Sequence, residues 1–202
     1  VIDPNPRLRV FGMILDALIL AGGRSSRLGG SDKRKLVLDG ETLLRRSVRA
    51  VEDAGARTVI VVGDGEVDGA QTAREEPAFG GPVAAIAAGM RAHPGSADAM
   101  LVIACDMPGI ADALAPLLDG FRADGVIAVD RGRRQQLAIV VGPVPLRDAL
   151  AALPTVVDAS MRALLAHLDL SEIVVPDGST DDIDTWDDAA RFGAVTPMGA
   201  PA

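Results

Sequence analysis

Two five-residue runs, Thr58–Val62 (Thr-Val-Ile-Val-Val) and 100–104 (Met-Leu-Val-Ile-Ala), carry no charge and no apolar–polar alternation. A strand with one face in water alternates, whereas a continuously apolar strand has to be covered on both faces. Such strands belong to mostly parallel sheets with helices packed above and below, so these runs confine the chain to an α/β architecture. The remaining sequence follows the same alternation. Strands are expected at 15–20, 58–62, 100–104, 125–129, 135–141 and 172–175, and helices at 42–54, 81–92, 112–122, 146–153, 160–168 and 185–192. In the first helix Leu43, Leu44, Ser47, Val48 and Val51 share one face, and Thr42 stands where an N-cap belongs. The 202 residues suit one domain. It is expected over 13–193, preceded by an N-terminal extension over 1–12 and followed by a flexible tail over 194–202.

Composition removes several classes of function. The formal charge is −8, which opposes general binding to nucleic acid or to an anionic membrane. Four Phe, one Trp and no Tyr leave few rings on which bases could stack. Cys105 is the only cysteine, so neither an internal disulfide nor a Cys-rich zinc site is available. His93 and His167 lie far apart, which disfavours a His-based metal centre. No apolar run reaches the roughly 20 residues of a membrane span, and the first dozen residues lack the apolar core of a signal peptide. A cytoplasmic protein is the expectation.

Polar and glycine residues gather at the expected strand ends, where open α/β sheets bind ligands. After the first strand comes Leu20-Ala21-Gly22-Gly23-Arg24-Ser25-Ser26-Arg27-Leu28-Gly29-Gly30-Ser31-Asp32-Lys33. Glycine allows positive φ and close approach of an anion to backbone N–H groups. Five cations fall between Arg24 and Lys35, so a polyphosphate would be drawn there. The segment is neither a Walker loop nor a Gly-x-Gly-x-x-Gly turn. Cys105-Asp106-Met107-Pro108 closes the strand at 100–104, and Mg²⁺ is commonly held by one or two carboxylates plus phosphate oxygens. Glu75-Glu76-Pro77-Ala78-Phe79-Gly80-Gly81-Pro82 leads into a helix whose N-terminus is open to an anion or a base edge. Asp181-Asp182-Ile183-Asp184-Thr185-Trp186-Asp187-Asp188 precedes the last helix. Its aspartates either serve the ligand site or cap that helix, with Thr185 as N-cap.

In this order the motifs resemble the MobA-like nucleotidyltransferases, and within them the molybdenum cofactor guanylyltransferase branch. The likeness runs from about Leu15 to about Phe192. It implies a three-layer, Rossmann-like fold with a mostly parallel central sheet, and Mg²⁺-dependent transfer of GMP from GTP to molybdopterin with release of pyrophosphate. By the same resemblance Leu20, Ala21, Gly22, Gly23 and Arg24 line the nucleotide site with Gly81 and Pro82. Lys33 binds phosphate and, with Arg27, stabilises developing charge. Asp106 holds the metal with Asp184, and an acidic residue near the nucleotide is Glu75 or Glu76, Glu76 being preferred. Guanylyltransferases of the family often show Asn-x-Asn-Thr-Pro-Glu-Asp where this chain has the 182–188 aspartates; aspartates occur there in cytidylyltransferase relatives. Transfer from CTP or to another phosphorylated acceptor is therefore an alternative, and a degenerate nucleotide-binding module is a non-enzymatic one.

Overall fold

The computed structural model describes residues 12–22 and 32–196. Their centre is a seven-stranded sheet. Its strands are β1 (Leu15–Leu20), β4 (Thr58–Val62), β5 (Gln71–Ala73), β6 (Ala99–Ala104), β7 (Gly125–Asp130), β8 (Arg133–Val141) and β9 (Leu170–Val174). Across the sheet they run β5-β4-β1-β6-β8-β7-β9. All neighbours are parallel except β8, which is antiparallel to both β6 and β7. The expected mostly parallel sheet is thus observed. Two short strands, β2 (Val37–Leu38) and β3 (Glu41–Thr42), form a separate ribbon.

Strand alternation divides the core into two layers. Leu15, Ala17 and Ile19 of β1 meet α1 (Leu43–Asp53) and α3 (Ala111–Gly120) on one face. Leu18 and Leu20 meet α2 (Gly81–Ala92), α4 (Pro143–Ala151) and α5 (Met161–Leu165) on the other. Both faces are covered, which is why these strands tolerate no polar alternation. Asp16 interrupts the run and is fully buried; it is bound by His93 Nε2 at 2.7 Å, by Arg57 Nη2 at 2.7 Å and by the Thr58 N–H at 3.0 Å. This network closes the end of the sheet opposite the strand termini that carry the motifs.

A third, smaller apolar cluster joins distant pieces of chain. Leu36, Leu38 from the ribbon, Leu43 from α1, Ile183, and Ala189 from α6 (Trp186–Phe192) are all buried together. Ala194 belongs to the same cluster and Val195 pairs with Val37, where a tail was expected.

Several boundaries differ from expectation for local reasons. Helix α4 starts at Pro143 rather than 146, because Gly142 and Pro143 supply an N-cap and a first helical residue that needs no donor. Helix α5 covers five residues rather than the expected nine. Strand β5 is half exposed and polar, with no apolar signal to reveal it. No helix among the described residues is long and apolar enough to cross a membrane.

Candidate active site

The chain passes from β1 to β4 on one side and later to β6 on the other, so the sheet's direction of growth reverses between β1 and β6. At that point, beyond the carboxyl ends of the strands, lies a cleft of about 810 Å³. Leu20, Ala21 and Gly22 form its wall at the end of β1, and Cys105 and Asp106 its floor at the end of β6. The Ala21 N–H bonds the Val62 carbonyl at 2.8 Å. Gly63, at φ +126°, lets β4 pass close enough that a Cβ there would lie 2.8 Å from the Ala21 and Gly22 backbone. Gly23, Arg24 and Arg27 fall outside the described residues.

Lys33 opens a single 3-10 turn over Lys33–Lys35, capped by Asp32. Its ammonium binds Asp106 Oδ2 at 3.1 Å and also Asp184 Oδ1. Residues 73 and 151 positions apart in sequence thereby meet on one cation. The small apolar cluster makes the meeting possible, since Leu36 follows the Lys33 turn and Ile183 precedes Asp184. Along the extended segment Asp182 and Asp184 share one face and line the cleft, while Ile183 points the other way and is fully buried. The N–H of Ile183 donates to the Asp106 carbonyl at 2.9 Å.

Capping of α6 is done elsewhere. Thr185 and Asp188 form a reciprocal capping box, so the side chains of Asp182 and Asp184 are not needed for it. Buried Asp130, at the end of β7, anchors the same segment. It accepts from the N–H groups of Gly178 (3.0 Å) and Thr180 (3.2 Å) and from the Thr180 hydroxyl (2.8 Å).

The charges are unevenly balanced. Burial pulls the Lys33 ammonium towards neutrality, but Asp184 and Asp106 outweigh it and hold its pKa above the usual lysine value. Burial, then the negative charges of Asp106 and Asp184, push the Asp182 carboxyl up. Two carboxylates bind the ammonium and a third, Asp182, lies within their electrostatic reach, an excess of negative charge that a divalent cation would relieve. Among the described residues, no group of three or more His, Cys, Asp or Glu could hold a metal ion by itself. Two carboxylates are nonetheless a fitting donor set for Mg²⁺, which commonly takes its remaining ligands from water and phosphate.

Arg34 is committed to Asp32, at 2.6 Å through Nε and 2.8 Å through Nη2. Burial opposes ionisation of Asp32, yet Arg34 holds its carboxyl below the usual range. Burial pushes the Cys105 thiol up, so it offers no thiolate near neutrality. Neither histidine lines the cleft.

Gly81 and Pro82, at the start of α2, line the cleft. The acidic position needs correcting. Glu75 lines the cleft, with Oε1 3.5 Å from where a Cβ on Gly22 would stand, while Glu76 is exposed and outside it. Of the two neighbours, Glu75 is the one turned to the cleft. The far end of the cleft holds residues the motifs did not single out, namely Gln135, Gln136, Leu137, Met161 and Thr180. Their signal was absent because two glutamines within a strand match no ligand pattern.

Residues 17–173 match the model of the MobA-like NTP transferase domain. The chain belongs to that family. It is a MobA-like nucleotidyltransferase. Over 146 residues the transferase is 30% identical to a molybdenum cofactor guanylyltransferase of Shewanella baltica, covering 68% of this chain and 74% of that one. It is 39% identical over 101 residues to a probable molybdenum cofactor guanylyltransferase of Opitutus terrae, covering 48% of this chain; the match spans only half (50%) of that relative's length. Among solved structures, a nucleotidyl transferase from Methanothermobacter thermautotroptrophicus superposes with a TM-score of 0.73 at 24% identity, over 88% of this chain and 94% of that one. The last comparison bears on the fold alone.

Proposed function

We propose that the transferase moves GMP from GTP to molybdopterin, with Mg²⁺ at the Asp106–Asp184 pair and release of pyrophosphate. The observation that carries this reading is the convergence of Lys33, Asp106 and Asp184 at the sheet's reversal point, beside the Ala21–Gly22 turn. The guanylyltransferase relatives point to this donor and acceptor.

In this reading Leu20, Ala21 and Gly22, with Gly23 and Arg24, cradle the nucleotide, and Gly81 and Pro82 face its base. A phosphate oxygen of the acceptor attacks the α-phosphorus. The bond to the bridging oxygen of the β-phosphate breaks, and its electron pair leaves with pyrophosphate. Charge grows on the α-phosphate oxygens and on the leaving group. Lys33, held in place by two carboxylates, supplies a fixed positive charge there, and Arg27 a second. Asp106 and Asp184 would hold Mg²⁺, which when bound neutralises phosphate charge as a Lewis acid. No protein nucleophile is required, since positioning and electrostatics carry such transfers.

The test is pyrophosphate release with each of the four ribonucleoside triphosphates, Mg²⁺ present, with and without molybdopterin. Release from GTP that requires molybdopterin is expected. Release from CTP in place of GTP would reassign the base, and saturable nucleotide binding with no release from any of the four would contradict catalysis on this acceptor.

A further inference from the structure

Strand β8 changes character at the cleft. Over its last residues it pairs with both β6 and β7, but pairing with β6 ends at Ile103–Ala138. The register with β7 breaks at the same place. Ile127 faces Ile139, yet the next residue of β7, Ala128, faces Gln135. β7 advances one residue (127 to 128) while β8 advances four (139 to 135), so 136–138 have no counterpart on β7. Bulges of this kind re-aim side chains and cluster beside active sites.

Here the bulge overrides the alternation that would send Gln135 and Gln136 to opposite faces. Gln135, Gln136 and Leu137, three successive residues, all line the cleft. Neither carboxamide has a hydrogen-bond partner among the described residues. A carboxamide places a donor and an acceptor side by side, the complement of a cyclic amide or amidine edge. Leu137 and Met161 add apolar walls on the same side, and a polarizable thioether suits a flat ring. Charge sorts the two ends. Lys33 and Arg34 are the only cations among the described residues that line the cleft, and both stand at the nucleotide end. An acceptor phosphate therefore sits towards Lys33, and the body of the acceptor reaches the bulge.

We propose that the β8 bulge is the acceptor-reading element of the transferase. The carboxamides of Gln135 and Gln136 hydrogen-bond the amide or amidine edge of a planar heterocycle, and Leu137 and Met161 pack its faces. This assignment rests on the reading of the cleft as a nucleotidyl-transfer site.

Two measurements on wild type, Gln135→Ala, Gln136→Ala and the double variant test it. With molybdopterin varied at saturating GTP, the double variant should show a KM for molybdopterin raised about tenfold or more, while its Kd for GTP stays within about twofold. Titration with pterin itself, followed by its fluorescence with GTP bound, should saturate in wild type and be lost in the double variant. An unchanged KM and pterin titration in the double variant would overturn the proposal. So would wild type that binds no pterin. Wild type that binds pterin through the two glutamines but releases no pyrophosphate would leave the bulge assignment standing and sink the proposed transfer.

Discussion

The backbone N–H of Ile183 bonds the carbonyl of Asp106 at 2.9 Å, fastening the segment before α6 to the end of β6. One backbone hydrogen bond thus brings Asp182 and Asp184, the two neighbours of Ile183, to the end of β6 that carries Asp106. The Ile183 side chain secures the arrangement from behind, buried with Leu36, Leu38 and Leu43. Ile183→Ala should destabilise the fold by about 2–4 kcal/mol. Because the same cluster carries the Lys33 turn, turnover should fall too, under conditions where the variant remains folded. Denaturant unfolding and pyrophosphate release would be read side by side; a stability loss with unaltered turnover would separate the cluster from the site.

The Lys33 ammonium bonds both Asp106 and Asp184, the two carboxylates proposed to hold the metal. Lys33→Met removes a competing cation and leaves the carboxylates to repel one another. Metal binding without nucleotide should tighten, while nucleotidyl transfer should drop for want of the fixed charge on the leaving group. Mn²⁺ titration checks the first effect and steady-state kinetics the second. Weaker Mn²⁺ binding in this variant would contradict the shared site.

Asp130 ties the 178–180 turn to the end of β7. Burial opposes its ionisation, but the donors of Gly178 and Thr180, with Arg131, prevail and hold its carboxyl below the ordinary value of 3.8. The folded value is the lower one, so the stabilisation is complete above that ordinary value and is lost as pH falls through the folded value. Asp130→Asn should cost about 1–3 kcal/mol near neutrality. Denaturation midpoints of wild type and variant, measured across pH, should converge towards the acid end; a constant gap would show that ionisation of Asp130 is not the cause.

The layered core was legible in the sequence because strands buried on both faces leave a continuous apolar signature, as β4 and β6 do. Asp16 was hidden within such a run, and only the structure shows His93, Arg57 and Thr58 satisfying it. Strand β5 and the β2–β3 ribbon escaped because two or three residues are too few to show a periodicity, and β5 is polar and largely exposed besides. At the site, the glycine turn and Asp106 announced themselves by position at strand ends. The partnership of Lys33 with Asp184 did not, for it depends on packing between Leu36 and Ile183 across most of the chain. The choice between Glu75 and Glu76 turned on which way one side chain faces, which residue type alone leaves undecided. Gln135 and Gln136 enter the cleft through a register break, and nothing in their identity marks it.

The most direct test of the account is GTP- and Mg²⁺-dependent pyrophosphate release, in the presence of molybdopterin, by wild type and Asp106→Ala. The account predicts release by wild type that needs metal and acceptor alike, and a loss of at least about a hundredfold in the variant with an unchanged unfolding transition. Near-wild-type release by folded Asp106→Ala protein would contradict it, removing the carboxylate pair as the seat of nucleotidyl transfer.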